Sequence, residues 1–231
     1  MPDLSALGPL TVPSAGARGT KKPNIYSGYY DNIVGALHLT ASMTVPTVKC
    51  TNSITWGAAD VGVLAVMESP DPGPDGGIDQ HGGGVEVGCA GLTGAPLYAA
   101  TLCGEPSLPT ACTTLADPVA PGDSVNVDVA AAGGCRPTCA SMVVTVKDTT
   151  QGWTESTSGT SDNDFNTFVA AVGSSPLADF GKVTLTGVTT NGAGFSGQRN
   201  NIVDDAGRTL ARAGSFTNAR TSFSVRWTRT S

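Results

Sequence analysis

Along residues 33–45 the apolar side chains keep to one parity. Ile33, Leu37, Leu39, Ala41, Met43 and Val45 alternate with His38, Thr40, Ser42 and Thr44. A period of two puts alternate side chains on opposite faces of an extended chain, so this segment predicts one long strand with a single buried face. The same alternation returns at Val125, Val127 and Val129, at Val183 and Leu185, and at Phe223, Val225 and Trp227. Each reads as a half-buried strand of an antiparallel sheet. His38 falls on the polar face of its strand, where a solvated or hydrogen-bonded imidazole is expected rather than a ligand. Between the strands, SPDPGPDGGID at 69–79 is too dense in Pro, Asp and Gly to be anything but an exposed loop. Residues 202–213 are read as a short helix weakened by Gly207. Strands follow one another without alternating helices, which predicts an all-β protein of two packed antiparallel sheets.

Composition sharpens this reading. Thirty glycines, fifteen prolines and only 14% charged residues suit short strands joined by turns, and 231 residues suffice for a single sandwich with an adequate core. Thirteen Lys and Arg against nineteen Asp and Glu leave a net charge of −6, which opposes nonspecific attraction to nucleic acid and to anionic membranes. No apolar run reaches the roughly 20 residues of a membrane-spanning helix. Residues 1–24 lack the basic and apolar regions of a secretory leader and are rich in Pro, Gly and small residues, with a basic knot at Arg18, Lys21 and Lys22. They read as a flexible or docking N-terminal arm ahead of a sandwich domain at 25–231.

Six cysteines leave the disulfide connectivity open. Spacing favours Cys103 with Cys112 around a proline-containing loop, Cys135 with Cys139 in GGCRPTC, and Cys50 with Cys89 between strand ends. Such clips imply an oxidising final environment, and hence an extracellular, secreted or virion-surface location. A metal site from Cys135, Cys139 and Cys103 or Cys112 is the weaker alternative, because there are only two histidines and no paired CxxC knuckles.

Several short motifs follow one another in a recognisable order: LTASMTVPTV at 39–48, TWGAAD with Trp56 and Asp60, Gln80-His81-Gly82, PLYAA with Tyr98, VAPGDSV at 119–125, VTVKDTTQGW at 144–153, PLADFG at 176–181 and SFSVRW at 222–227. From Tyr26 to Trp227 the chain resembles the eqolisins, the glutamic peptidases. That resemblance implies a concanavalin-like (jelly-roll) sandwich of two antiparallel sheets. In that family a glutamate acts as general base toward water and a glutamine helps stabilise the oxyanion. By position Gln80 matches the glutamine, while Trp56, Asp60, Tyr98 and Phe168 match groove-supporting positions. Aligning FNTFVAAV at 165–172 with the family's glutamate strand puts Thr167 at an upstream glutamate and Ala171 at the catalytic one.

A methyl group neither accepts a proton nor orients water, so this alignment implies a degenerate member lacking the catalytic glutamate. Asp162, Asp164 and Glu155 lie upstream as substitutes, but a strand slipped by an odd number of residues reverses its faces. Glu68, Glu86, Glu105 and Glu155 sit in contexts that give no reason to pair any two as glycosidase carboxylates. There is no Walker loop, dinucleotide fingerprint, HExxH or nucleophile elbow, and no cofactor is implied. The leading expectation is a noncatalytic extracellular or particle-surface structural or interaction protein, such as a virion or filament component, with protein partners or self-assembly through residues 1–24. The alternative is an acid endopeptidase using Gln80 and a carboxylate not yet identified. A carbohydrate-binding module is a third reading, from fold analogy alone.

Overall fold

A computed structural model describes residues 25–31, 36–50, 59–68, 80–90, 94–105, 108–133, 138–162, 166–173 and 176–229. The 1–24 arm, the 69–79 loop, Trp56, Asp164 and Cys135 lie outside these residues. The described chain is all β, and no helix is long and apolar enough to cross a membrane. Its strands are β1 (Tyr26–Asp31), β2 (His38–Thr44), β3 (Ala59–Glu68), β4 (Gln80–Cys89), β5 (Pro96–Glu105), β6 (Leu108–Thr114), β7 (Ser124–Ala131) and β8 (Thr138–Asp148). They continue as β9 (Trp153–Asp162), β10 (Asn166–Val172), β11 (Lys182–Thr190), β12 (Ala193–Gly194), β13 (Gln198–Val203), β14 (Thr209–Ala213) and β15 (Phe223–Trp227).

The strands form one curled antiparallel array in the order β6-β5-β4-β3-β10-β1-β13-β14-β15-β11-β2-β7-β8-β9, with β12 on β11. The array folds over at the β1–β13 pairing, so that β6 to β1 make one layer and β13 to β9 the other. Between the layers lies a core built from one parity of each strand. Val61, Val63, Ala65 and Met67 of β3, Val85 and Val87 of β4, and Val169 and Ala171 of β10 meet Leu39, Ala41, Met43, Val125, Val127, Val129, Val144 and Val146 of the other layer. Valine dominates because a β-branched side chain packs closely on a pleated surface at little further cost in rotamer freedom.

The alternation that predicted β7, β11 and β15 is observed at Val125–Val129, Val183–Leu185 and Phe223–Val225, with the odd positions buried; past a bulge in β11 the buried parity switches to Val188 and Thr190. Strand β2 is shorter than the 33–45 pattern implied: regular pairing occupies His38–Thr44. The expected helix at 202–213 is instead the hairpin β13–β14. Asp204 decides this, since its carboxylate accepts from the Arg208 backbone N–H at 2.8 Å and its own N–H donates to the Arg208 carbonyl at 3.0 Å. Gly207 supplies the left-handed turn residue at φ 77°.

The polar motif residues also turn out to build corners. Asp123 of the PGD motif accepts from Ala120 N–H at 2.7 Å and from the Gln151 side chain at 3.0 Å. Asp148 of KDTTQGW accepts from the backbone N–H groups of Thr150 and Gln151 at 2.8 and 2.9 Å. Asp179 of PLADFG accepts from Gly181 N–H at 2.9 Å. Two of the favoured cysteine pairs are disulfides, Cys50–Cys89 and Cys103–Cys112. The Cys135–Cys139 pairing lies outside the described residues.

Strand β4 runs against β3 without room for side chains on part of its outer face. A methyl group at Gly82 would stand 2.3 Å from the Ala65 carbonyl oxygen and 2.7 Å from Val66 Cα. Gly82→Ala therefore forces the two strands apart, and it should cost about 1–3 kcal/mol of stability, read from the midpoint of urea unfolding at unchanged slope.

Candidate functional site

Residues directly opposite each other in a sheet share a face, so the register sorts every candidate. Strand β3 pairs β4 with Glu68 opposite Gln80, Val66 opposite Gly82 and Gly62 opposite Glu86. Strand β10 pairs β3 with Asn166 opposite Glu68 and Phe168 opposite Val66. The outer face of this layer therefore carries Asp60, Leu64, Val66 and Glu68 from β3, Gln80 and Glu86 from β4, Asn166 and Phe168 from β10, and Tyr26 and Tyr30 from β1. Two glycines of β4, at 82 and 84, leave a bare strip between Gln80 and Glu86, and Gly88 follows beyond Glu86.

Two polar centres stand on this face. At one end Gln80 opens β4 directly across from Glu68, which places their Cβ atoms about 5 Å apart. Both are enclosed, at 1% and 2% exposure. The Glu68 charge reaches the tyrosines of β1. Burial first, and Glu68 second, push the Tyr30 hydroxyl up to about 12 and raise that of Tyr26 further. Phe168 packs with Tyr26 at a centroid separation of 5.5 Å and with Leu64, Val66 and Ala170 in a small apolar cluster.

Asp60 and Glu86 hold the other end, diagonal neighbours whose carboxyl groups hydrogen-bond. One of the two must carry a proton to donate. Burial pushes Glu86 up to about 8, with the Asp60 charge and the shared hydrogen bond adding to it. Burial also raises Asp60, against the lowering effect of that hydrogen bond. The proton therefore resides on Glu86 at neutral pH. Gln80 and Glu86 are six residues apart on one strand, about 20 Å, so the two centres cannot act on one bond.

The remaining expected site residues are dispersed. Ala171 pairs Val63 of β3, and both point into the inter-layer core, the face opposite to Gln80. Thr167 shares that parity. Tyr98 pairs Val87 and also faces inward, its hydroxyl accepting from Val48 N–H at 3.1 Å. Of the four groove-supporting positions, Asp60 and Phe168 thus lie on the Gln80 face, Tyr98 does not, and Trp56 lies outside the described residues. Glu155 is exposed on β9, an edge strand of the other layer. His81 is buried in the inter-layer space beside Gly104 and Gly159, and burial pushes its imidazole down to about 4. His38 is on the polar face as expected, 3.0 Å from Asp128.

Two carboxylates gained roles that their sequence contexts did not suggest. Glu86 in GGGVEVGC and Glu68 in LAVMES read as members of loops or strand edges, yet each sits in a paired strand opposite or diagonal to a polar partner. Only the β3–β4 register reveals this, because the residues concerned are 12 to 26 positions apart in the chain.

No protein-family model and no curated protein matches the chain. Solved structures do. Scytalido-glutamic peptidase, determined with a transition-state analogue inhibitor, superposes with a TM-score of 0.63 at 16% identity, covering 88% of this chain and 98% of its own. SCP-B, a member of the eqolisin family solved with the tripeptide Ala-Ile-His, gives 0.59 at 17% identity over the same shares. The fold is that of the eqolisin peptidases. At these identities the likeness extends to the sandwich architecture, and the chemistry of the eqolisin-like face rests on its own residues.

Those residues make pH an independent variable. Glu86 binds its proton more tightly folded than unfolded, so its contribution is complete below about 4.5 and is lost as pH rises through about 8. His81 has the opposite sign, its contribution being complete above about 6.5 and lost as pH falls through about 4. Glu86→Gln, which keeps a hydrogen-bonding group without the charge, should therefore raise Tm by about 2–4 °C at pH 8 and leave it nearly unchanged at pH 5, measured by thermal scans across that range.

Proposed function

We propose that this protein is a noncatalytic structural or interaction protein built on a glutamic-peptidase-like sandwich, working outside the cell or at a particle surface, as a virion or filament component would. One observation carries the reading. The groups that could do eqolisin-like chemistry, Gln80 and Glu68, are almost completely enclosed, and the strip beyond them is glycine and aliphatic side chain. A polypeptide substrate needs an open groove with a general base in contact with water. Two disulfides favour an oxidising environment.

The Glu68–Gln80 juxtaposition supports a second reading, an acid endopeptidase in which Glu68 is the general base and Gln80 the oxyanion partner. Digestion of an unfolded protein substrate between pH 2 and 5 separates the two, using protein whose fold at each pH is verified by circular dichroism. The scaffold reading expects no cleavage above the buffer control. Cleavage that disappears in both Glu68→Gln and Gln80→Ala, with each variant still folded, would replace it with the peptidase reading.

A further inference from the structure

The charge of this chain is unevenly laid out. Residues 182–231 hold seven Lys and Arg against two acidic residues, a net +5, whereas residues 1–181 hold six against seventeen, a net −11. The basic segment forms β11 to β15, and β13, β14, β15 and β11 are consecutive in the sheet. Within it the register brings three cations side by side. Lys182 of β11 is directly opposite Arg226 of β15, and Arg226 is directly opposite Arg212 of β14. All three are exposed, while their neighbours Val183, Val225, Ala211 and Ala213 are buried, so the cations project together from the outer face of this layer.

Like charges placed directly opposite on neighbouring strands repel and cost stability. Among the described residues none of the three is ion-paired, the ion pairs there being His38–Asp128 and Arg208–Asp204. Two carboxylates of the surrounding segments are engaged by local turns: Asp204 by Arg208, and Asp179 by the Gly181 N–H. Asp205 is exposed in the β13–β14 turn. The row is about 10 Å long with a cation roughly every 5 Å, the spacing of adjacent strands. Hydroxyl and amide groups border it on the same face: Thr184 opposite Ser224, and Asn201 opposite Arg212.

We infer that this row is a docking surface for an acidic polysaccharide. Charge complementarity selects a polyanion, and the flanking hydroxyl and amide groups offer both donors and acceptors to sugar hydroxyls. Duplex nucleic acid fits less well. It carries a charge about every 1.7 Å, far denser than the one cation per roughly 5 Å of this row. A single strand binds largely through base stacking, and the only large exposed hydrophobic residue described is Leu37. The surface lies on the layer opposite to the Gln80 face, so its function does not depend on whether that face is catalytic.

Retention of the full chain on immobilised heparin and on polygalacturonate tests this at 50 mM salt, with dextran as the neutral control and isothermal titration for affinity. The expected result is binding to at least one acidic polymer, none to dextran, and a loss of tenfold or more in Arg212→Gln/Arg226→Gln. Arg208→Gln, whose side chain is already paired, should bind within twofold of wild type. The heparin and polygalacturonate arms tell sulfate from carboxylate recognition. Failure of wild-type protein to bind either polymer overturns the proposal, as does binding that survives the double substitution. Tighter binding to single-stranded DNA would assign the row to nucleic acid instead. Self-association abolished by the same double substitution, with no polysaccharide binding, would assign it to a second copy of the chain.

Discussion

A residue in a sheet can serve only one face, and the register of β3 against β4 and β10 commits every side chain in the first layer to one side or the other. The odd positions of β3 and β4 are taken by the inter-layer core, where Val61, Val63, Val85 and Val87 meet the valines of β7 and β8. Everything polar on these strands that is not His81 is thereby forced outward, onto the face that carries Glu68, Gln80, Asp60 and Glu86. A one-residue slip would exchange the two sets, placing carboxylates among valines, so the core itself enforces the arrangement of the polar face. The buried carboxyl pair is the local consequence. Two acids held together where water is scarce keep one proton between them, and the stability of the sheet acquires a pH dependence.

The same constraint explains how an eqolisin fold persists at 16% identity. Several of the motifs whose order resembles that family build corners. Asp123 and Asp148 close two facing turns linked by Gln151, and Asp179 fixes the turn into β11. These residues satisfy backbone donors that would otherwise be stranded at strand ends, a requirement of the topology whatever the protein does. Ala171 carries no such duty, and its methyl packs in the core.

The two outer faces consequently differ in character. On the first layer the outer face is buried at Glu68, Gln80, Glu86 and Phe168 and half-buried at Tyr26, Tyr30 and Asp60, with glycines at 82, 84 and 88 lying flat against β3. On the second layer the outer face is hydrophilic, with Thr, Ser and Asn alternating against buried valines, and the cationic row of β11, β15 and β14 is its most charged feature.

Much of the architecture was legible from local signals. Alternation in Val125–Val129, Val183–Leu185 and Phe223–Trp227 reports burial directly, because strand periodicity is a property of a few adjacent residues. Cysteine spacing was informative for Cys50–Cys89 and Cys103–Cys112, which join segments brought close by a hairpin or a neighbouring strand. The hairpin at 198–213 was not legible, since the apolar spacing there fits either period and the Asp204–Arg208 turn chemistry settles it. Nor could the sequence alone say which face Gln80, Tyr98 or Ala171 would occupy, that Glu68 would stand opposite Gln80, or that Lys182, Arg226 and Arg212 would form a row. Those facts depend on pairings between residues distant in the chain, and a pairing register is set by how two strands jointly fill the core. The sequence by itself thus determined the all-β sandwich and the buried parity of its clearly alternating strands, because alternation is local; only the tertiary structure decided the 198–213 hairpin and which polar residues became neighbours, because both depend on pairing between separate segments.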